Sequence, residues 1–187
     1  VLGWVRLVRH VRRFRPDIVQ TWMYHADLFG GLAARMGGAG RVVWGLRQSD
    51  LDRNFVKRST FWTVRLCALL SRRVPDKILC CSWATQRVHA ELGYDSSKIL
   101  VIPNGFDTDH FRPSDRDRME VRKELGLPPD ATLIGLVARF DPQKDHQTFI
   151  AAADQLGRSR PNVRFVLCGD GVDSNNEALV AWIEESA

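Results

Sequence analysis

Short apolar runs alternate with amphipathic stretches along nearly the whole chain. In residues 1–14, apolar side chains recur at helical spacing between arginines, which predicts an amphipathic basic helix. The predicted strands are 17–21, 41–45, 77–81, 98–102, 132–138 and 163–168, and the predicted helices are 1–14, 27–36, 56–73, 83–92, 114–126, 144–157 and 175–186. Strands alternating with helices predict repeated β-α units, so we expect an α/β protein with parallel sheets.

A change of composition divides the pattern in two. Residues 106–117 are rich in Asp and poor in apolar side chains, as a linker would be. The charge reverses at the same place, since 1–104 hold 17 Lys and Arg against 7 Asp and Glu, whereas 105–187 hold 10 against 15. We therefore predict two modules, 1–104 and 131–187, joined by a hinge and connecting helix at 105–130. Nucleic acid, an anionic membrane or a phosphorylated substrate would each suit the basic module.

Composition indicates the cellular compartment. The 187 residues are 44% hydrophobic, and no apolar run approaches the ~20 residues that span a bilayer. The four cysteines form no C-x-x-C pair and lie in apolar contexts, so we predict buried free thiols in a reducing compartment. They are Cys67, Cys80, Cys81 and Cys168.

Candidate chemistry lies beyond the carboxyl ends of the strands, where open parallel sheets bind ligands. His25 follows the first strand at a helix start, where backbone N–H groups favour anions. Arg139 and Lys144 follow the fifth strand, and two cations on one loop could clamp a diphosphate. The alternatives are a purely structural histidine and a surface loop in which Asp141 and Asp145 pair with the two cations.

A glycine-rich turn follows the last strand. The glycines of Cys168–Gly171 would let a nucleotide approach the backbone, although Gly-Asp-Gly is also an ordinary turn sequence. The fingerprints G-x-G-x-x-G and Walker A are absent, and so are G-x-S-x-G and H-E-x-x-H. The usual hydrolase and metalloprotease interpretations therefore have no support.

Four segments together resemble one family. Residues 98–113 resemble the K-x-x-V-I-P-N-G-V-D-x-x-x-F-x-P hinge segment of glycosyltransferase family 4. Residues 134–146 are similar to its G-R-x-x-x-x-K donor loop, 166–171 to its next strand and turn, and 25–34 to the His-plus-Gly helix start of its N-terminal domain. The four segments follow the family's order and spacing over nearly the whole chain, which is more specific than any one of them.

This resemblance implies a GT-B fold, in which two Rossmann-like parallel-sheet domains are joined by a hinge, with both domains incomplete here. It implies a retaining, metal-independent glycosyltransferase that moves a hexosyl group from a nucleotide-sugar co-substrate, with no other cofactor. His25, Arg139 and Lys144 would be catalytic, the two cations stabilising the leaving phosphate in place of a divalent ion. The implied donor-binding residues are Arg139, Lys144, Gly169, Asp170, Gly171, Asn104 and Gly105.

The chain also departs from the family pattern. Ala138 and Asp145 stand where the family usually has Gly. The family's Gly-rich loop would lie before Val1 and its Glu-x7-Glu motif after Ala187, so we expect the middle of a longer enzyme, inactive by itself. Three late carboxylates lack the turn and strand that precede that motif, so they are interpreted as a solvated helix face. They are Glu177, Glu184 and Glu185.

The expected partners are a nucleotide-sugar donor and a glycan or lipid-linked acceptor of cell-surface polysaccharide or glycolipid synthesis, and nucleic acid is not among them. The basic helix within 1–15 suits peripheral contact with an anionic membrane, which would place the protein in the cytoplasm at the inner membrane face. An Arg-rich helix that merely covers the sheet is the alternative. Two other functions stay open: a GT-B nucleotide-sugar epimerase, and a basic α/β module that binds an acidic polymer or nucleic acid.

Overall fold

The computed structural model describes residues 2–49, 51 and 57–186, with the side chain of residue 2 left aside. The chain divides into two compact units, Val1–Asp107 and Thr108–Ala187, called here the N-terminal and C-terminal units. Every sheet in the described residues is parallel and alternates with helices, so the predicted α/β class is confirmed. The domain limits 1–104, 105–130 and 131–187 stay predictions.

The N-terminal unit is built on a four-stranded parallel sheet with the order β1-β2-β3-β4. Because the strands are parallel and consecutive, their carboxyl ends share one edge of the sheet. Its elements are α1 (Leu2–Phe14), β1 (Ile18–Trp22), α2 (Tyr24–Gly37), β2 (Arg41–Leu46), α3 (Arg58–Leu70), β3 (Lys77–Cys80), α4 (Trp83–Glu91) and β4 (Ile99–Val101).

The core of this unit centres on β2, where Val42, Trp44 and Leu46 are almost fully buried. Helix α2 packs directly on β1 and β2. A Cβ at Gly30 would lie 2.9 Å from the Thr21 methyl group, and one at Gly31 2.5 Å from the Trp44 indole nitrogen. These two glycines therefore permit the close packing of α2 on the sheet.

Helix α1 has the predicted amphipathic character. Val11 is buried against α2, and the Trp4 indole donates to the Phe29 carbonyl at 2.9 Å. The Arg12 guanidinium donates to the Met36 carbonyl at 3.1 Å, which fixes the end of α1 to the end of α2. In the described parts of the chain, none of the helices combines the length and the apolar character that crossing a bilayer requires.

Helix boundaries differ from the predictions where single residues change the backbone. Helix α2 begins at Tyr24 rather than near residue 27, because Met23 has a φ of 71° and completes the turn from β1 in one residue. Helix α3 ends at Leu70 rather than 73, where the Ser71 hydroxyl donates to the Ala68 carbonyl. The predicted start of α3 at residue 56 lies outside the described residues. Ser82 is the N-cap of α4, and its hydroxyl oxygen accepts a 3.1 Å bond from the Thr85 amide.

The C-terminal unit contains a two-stranded parallel sheet, in which Val137 at the end of β5 lies opposite Cys168 at the end of β6. Helix α6 starts two residues later than predicted because a 3-10 turn, Pro142–Lys144, precedes it. The elements are α5 (Asp115–Glu124), β5 (Thr132–Val137), α6 (His146–Ser159), β6 (Val163–Cys168) and α7 (Glu177–Ser186).

The cysteine prediction is correct only in part. All four cysteines are free, and Cys67 and Cys80 are buried. Cys81 is only partly buried and Cys168 is exposed, which contradicts the prediction of four buried thiols. Both exceptions lie at carboxyl ends of strands, where the packed part of the sheet stops.

Candidate functional site

In the C-terminal unit, the loops that follow β5 and β6 lie side by side. The Ala138 amide donates to the Cys168 carbonyl at 2.9 Å, and the Phe140 amide donates to the Asp170 carbonyl at 2.7 Å. A Cβ at Gly169 would lie 2.0 Å from the Ala138 carbonyl oxygen, so the two loops can lie this close only if residue 169 is glycine. The structure thus brings Arg139 beside the turn 169–171, as two separate sequence motifs predicted.

Arg139 is held by a carboxylate of its own loop. Its Nη2 and Nε atoms donate to one Asp141 oxygen at 2.9 and 3.2 Å, while 62% of its side chain stays exposed. The Gln143 amide and Arg139 together hold the pKa of Asp141 below its usual range, so this carboxylate is ionised at neutral pH. The alternative of a paired surface loop is therefore correct for Asp141. Asp145 instead caps α6 by accepting a bond from the Thr148 amide at 3.3 Å.

Lys144 is the second cation of this loop. It ends the 3-10 turn and is exposed. Its charge also contributes to the low pKa of Asp141, so Arg139 and Lys144 act on the same carboxylate and share one small region. This region, Arg139, Lys144 and the turn 169–171, is called here the donor loop. Its role in binding a donor stays a prediction.

The N-terminal unit has a cavity of about 480 Å³ at the carboxyl edge of its sheet. Its lining includes Asn104 and Gly105, which the sequence predicted as ligand-binding, and Arg47 and Trp22, which it did not. A signal for Arg47 was present, because it is the first residue after β2 and the rule that points to strand ends applies to it equally.

His25 lies apart from this cavity. It is an exposed residue in the first turn of α2 and is not among the cavity's lining residues. Met23 at the N-cap accepts no side-chain hydrogen bond, so the backbone N–H groups in the first turn of α2 can donate to solvent or to a ligand. The catalytic role predicted for His25 stays a prediction.

A buried carboxyl group near His25 escaped the sequence analysis. Asp27 is fully buried in α2, and its Oδ1 accepts a 2.6 Å bond from the Thr21 hydroxyl. Its Oδ2 has no hydrogen-bond partner, and burial raises the pKa of Asp27 to about 7. No pattern in the sequence marks this burial, because an Asp in the first turn of a helix is usually an exposed, favourable residue.

Two remaining features are the carboxylates of α7 and the side chains that could bind a metal ion. Glu177, Glu184 and Glu185 are all exposed on α7, as predicted. Over the part of the chain that is described, His, Cys, Asp and Glu side chains form no group of three or more that could hold a metal ion.

Solved structures identify the class of fold. Anabaena Alr3699/HepE in complex with UDP superposes on 98% of this chain with a TM-score of 0.80 at 21% identity, and this chain covers 47% of it. The same protein in complex with UDP-glucose matches with a TM-score of 0.75 over the same shares of both chains. The chain therefore has the α/β GT-B fold, of which it represents about half.

Sequence comparison identifies the family. The Glycosyltransferase Family 4 model matches residues 1–110, and the Glycosyl transferases group 1 model matches residues 117–185. The chain therefore belongs to the glycosyltransferase family that these two models describe, glycosyltransferase family 4. The resemblance found in the four sequence segments is thereby confirmed.

Curated relatives agree with this assignment. The Escherichia coli UDP-Gal:alpha-D-GlcNAc-diphosphoundecaprenol alpha-1,3-galactosyltransferase is 30% identical over 177 residues, which are 89% of this chain and 44% of the relative. The putative glycosyltransferase EpsF of Bacillus subtilis is 28% identical over 87% of this chain and 42% of its own length. A D-inositol 3-phosphate glycosyltransferase of Segniliparus rotundus is 36% identical over 48% of this chain and 20% of its own length. The chain thus spans less than half the length of these relatives.

Proposed function

We propose that the protein containing this chain transfers a hexosyl group from a nucleotide-sugar donor to a glycan or lipid-linked acceptor, with retention of the anomeric configuration. The observation that carries this proposal is the donor loop, where two cations lie beside a glycine turn at the carboxyl ends of two parallel strands. Breaking the bond from the sugar to a nucleoside diphosphate places negative charge on the leaving phosphate. Fixed cations at that position lower the barrier by stabilising that charge.

Retention and metal independence are part of the same proposal and come from family membership. Arg139 and Lys144 can offset part of the charge of a diphosphate without a divalent ion, although Asp141 already pairs with Arg139. The nucleotide sugar is then a co-substrate, and no further cofactor is needed. The named acceptor of the Escherichia coli relative, a sugar diphosphate on undecaprenol, supports a lipid-linked acceptor.

Replacing either cation of the donor loop is expected to weaken nucleoside diphosphate binding. Arg139→Ala and Lys144→Ala should each lose about 1–3 kcal/mol of binding free energy, the range for charge-assisted hydrogen bonds. Calorimetric titration with UDP, GDP and ADP measures this without turnover, which suits a chain that covers less than half of its relatives.

Arg158→Ala is the matched control for Arg139→Ala. Arg158 is also exposed and also pairs with a carboxylate, Asp154, at 2.8 Å, but on the side of α6. Its replacement should leave nucleotide affinity unchanged. Equal affinity in wild type, Arg139→Ala and Lys144→Ala would contradict the donor-loop proposal.

We also propose that α1 holds the protein at the anionic inner face of a membrane, in the cytoplasm. Arg6, Arg9 and Arg13 are exposed on this helix, and Phe14 is 74% exposed at its end. Cations beside an exposed aromatic ring suit the interface of an anionic bilayer. The free thiols support a reducing compartment.

Reversing two of these charges is expected to weaken membrane binding strongly. Each basic residue contributes about 1 kcal/mol at an anionic surface, so Arg6→Glu with Arg9→Glu should weaken binding at least tenfold. Sedimentation with phosphatidylglycerol vesicles measures this, and phosphatidylcholine vesicles should bind little of any variant. Arg73→Glu with Arg87→Glu changes the charge equally at exposed sites off α1 and should bind as wild type does. Indifference to lipid charge would contradict the proposal.

A further inference from the structure

The cavity at the carboxyl edge of the N-terminal sheet has a composition that the donor loop does not explain. It measures about 480 Å³, and among the described residues that line it Arg47 is the cationic one. None of the described residues that line it is acidic. Its lining also includes the last residue of β1, the end of β3 and the residues after β4, so the carboxyl ends of all four strands contribute to it.

Arg47 is held in place by two contacts of its guanidinium group. Its Cζ lies 4.5 Å from the centroid of the Trp22 ring, a cation–π contact. On another side, Nη1 donates a hydrogen bond to the Asn104 side-chain oxygen. Trp22 is the last residue of β1 and Asn104 follows β4, so Arg47 is positioned from both edge strands of the sheet.

The backbone provides the room for this arrangement. Trp22 lies opposite Gly45 in the ladder between β1 and β2. A Cβ at Gly45 would lie 2.9 Å from a ring carbon of Trp22, so the ring can rest on β2 only because residue 45 has no side chain. The guanidinium is thus oriented before any ligand arrives, which reduces the entropy that binding costs.

The rest of the cavity is apolar and accessible. Trp22, Ile102 and Phe106 are 48%, 57% and 77% exposed, respectively. One oriented guanidinium selects two neighbouring oxygens of a phosphate or a carboxylate, and exposed aromatic and aliphatic side chains select a sugar ring or a hydrocarbon chain. A ligand that matches both features is a phosphate ester of a sugar or a lipid.

We propose that this cavity binds the phosphate of the acceptor substrate, with Arg47 as the ligand of that phosphate. The proposal rests on the proposed glycosyl transfer, because only a transferase has an acceptor, and it assigns the anionic part of that acceptor to the N-terminal unit. Trp22 and Asn104 are positioning residues, which act by orienting Arg47.

The test uses Trp22 as a reporter beside the site. The indole N–H resonance of Trp22 in the ¹⁵N-labelled chain is assigned by Trp22→Phe, and the chain is titrated with geranyl diphosphate, geraniol or UDP. Geranyl diphosphate should shift this resonance to saturation, whereas neutral geraniol should not. UDP should shift it only at tenfold or higher concentration, because its phosphates belong to the donor loop.

Variants separate binding from folding. Arg47→Ala should weaken the geranyl diphosphate response at least tenfold, as expected for the loss of a charge-assisted hydrogen bond. Arg47→Lys keeps the charge and loses the planar fork, so an intermediate loss is expected. Arg73→Ala removes an exposed arginine from the turn before β3, at the opposite edge of the sheet, and should stay within twofold of wild type.

Three results would overturn the proposal. They are the absence of a Trp22 shift with geranyl diphosphate, an unchanged response in both Arg47 variants, and a shift with UDP at equal or lower concentration, which would assign the site to the donor. Failure of the proposed glycosyl transfer is seen separately, as a lack of UDP binding that depends on Arg139 and Lys144.

Discussion

Replacing Asp27 by Asn is expected to flatten the pH dependence of stability of the N-terminal unit. Asp27 is fully buried and its Oδ2 has no side-chain partner, so the hydrogen bonds from Thr21 and the Gly45 backbone compensate only part of the charge that ionisation creates in the folded state. Burial raises the pKa of Asp27 from 3.8 in the unfolded chain to about 7 in the folded one, although the Thr21 hydrogen bond works against this shift.

The direction of the effect follows from the two pKa values. Below pH 3.8 both states are protonated and burial of the carboxyl carries no charge penalty. As the pH rises towards 7, the unfolded state loses its proton first, so the free energy of unfolding falls with pH. The total loss is about 4 kcal/mol and is complete just above pH 7, whereas Asn has no proton to lose.

Urea unfolding between pH 4 and 8.5 measures this difference. Five of the six tryptophans lie in residues 1–107, so tryptophan fluorescence mainly follows the N-terminal unit. Burial lowers the pKa of His89, which destabilises both proteins at acid pH, and subtracting the Asp27→Asn curve removes that contribution. Asp17→Asn, which changes an exposed carboxylate of the same unit, should parallel wild type. Parallel curves for wild type and Asp27→Asn would contradict the prediction.

The pattern of apolar and polar residues predicted the described strands and helices well. Apolar residues mark the buried faces of these elements, and their spacing along this chain distinguishes strands from helices. Strand β6 begins and ends as predicted, at Val163 and Cys168. The predicted starts of α2 and α6 were wrong where one residue adopts a rare backbone conformation. Met23 and Asp145 both have positive φ, and no simple pattern of polar and apolar residues marks such a position.

The candidate site could be predicted where it is local in sequence. Arg139, Asp141 and Lys144 are neighbours on one loop, so the spacing alone placed them together. Arg47 and Asn104 are 57 residues apart, and their contact depends on the strand order of the sheet. Likewise, Asp27 differs from an exposed first-turn carboxylate only through tertiary burial, which a single sequence does not show.

Replacing Gly169 by Ala is expected to be the most damaging small change in the C-terminal unit. The new Cβ would lie 2.0 Å from the Ala138 carbonyl oxygen and 2.4 Å from its carbon, and both are backbone atoms that cannot rotate away. The strand ends must then separate, which breaks the bonds from Ala138 to Cys168 and from Phe140 to Asp170. We expect a loss of about 3 kcal/mol or more in the free energy of unfolding.

Fluorescence of Trp182 detects this effect locally. It is the single tryptophan of residues 108–187, and its ring lies 5.7 Å from that of Phe140, next to Arg139. In a background where the other tryptophans are replaced by Phe, its denaturation midpoint follows the C-terminal unit alone. Gly169→Ala should also abolish nucleoside diphosphate binding under conditions where the unit is still folded, because Arg139 is carried on the displaced strand end.

A second glycine of the same unit supplies the control. At Gly157 in α6, a Cβ would meet only the Phe165 ring at 3.8 Å, an ordinary contact. Gly157→Ala should therefore stabilise the unit by about 0.5–1 kcal/mol, because alanine is the better helix former. If the two replacements had equal effects, residue 169 would not need to be glycine. The absence of a side chain at residue 169 would then not be what allows the loops after β5 and β6 to lie so close together.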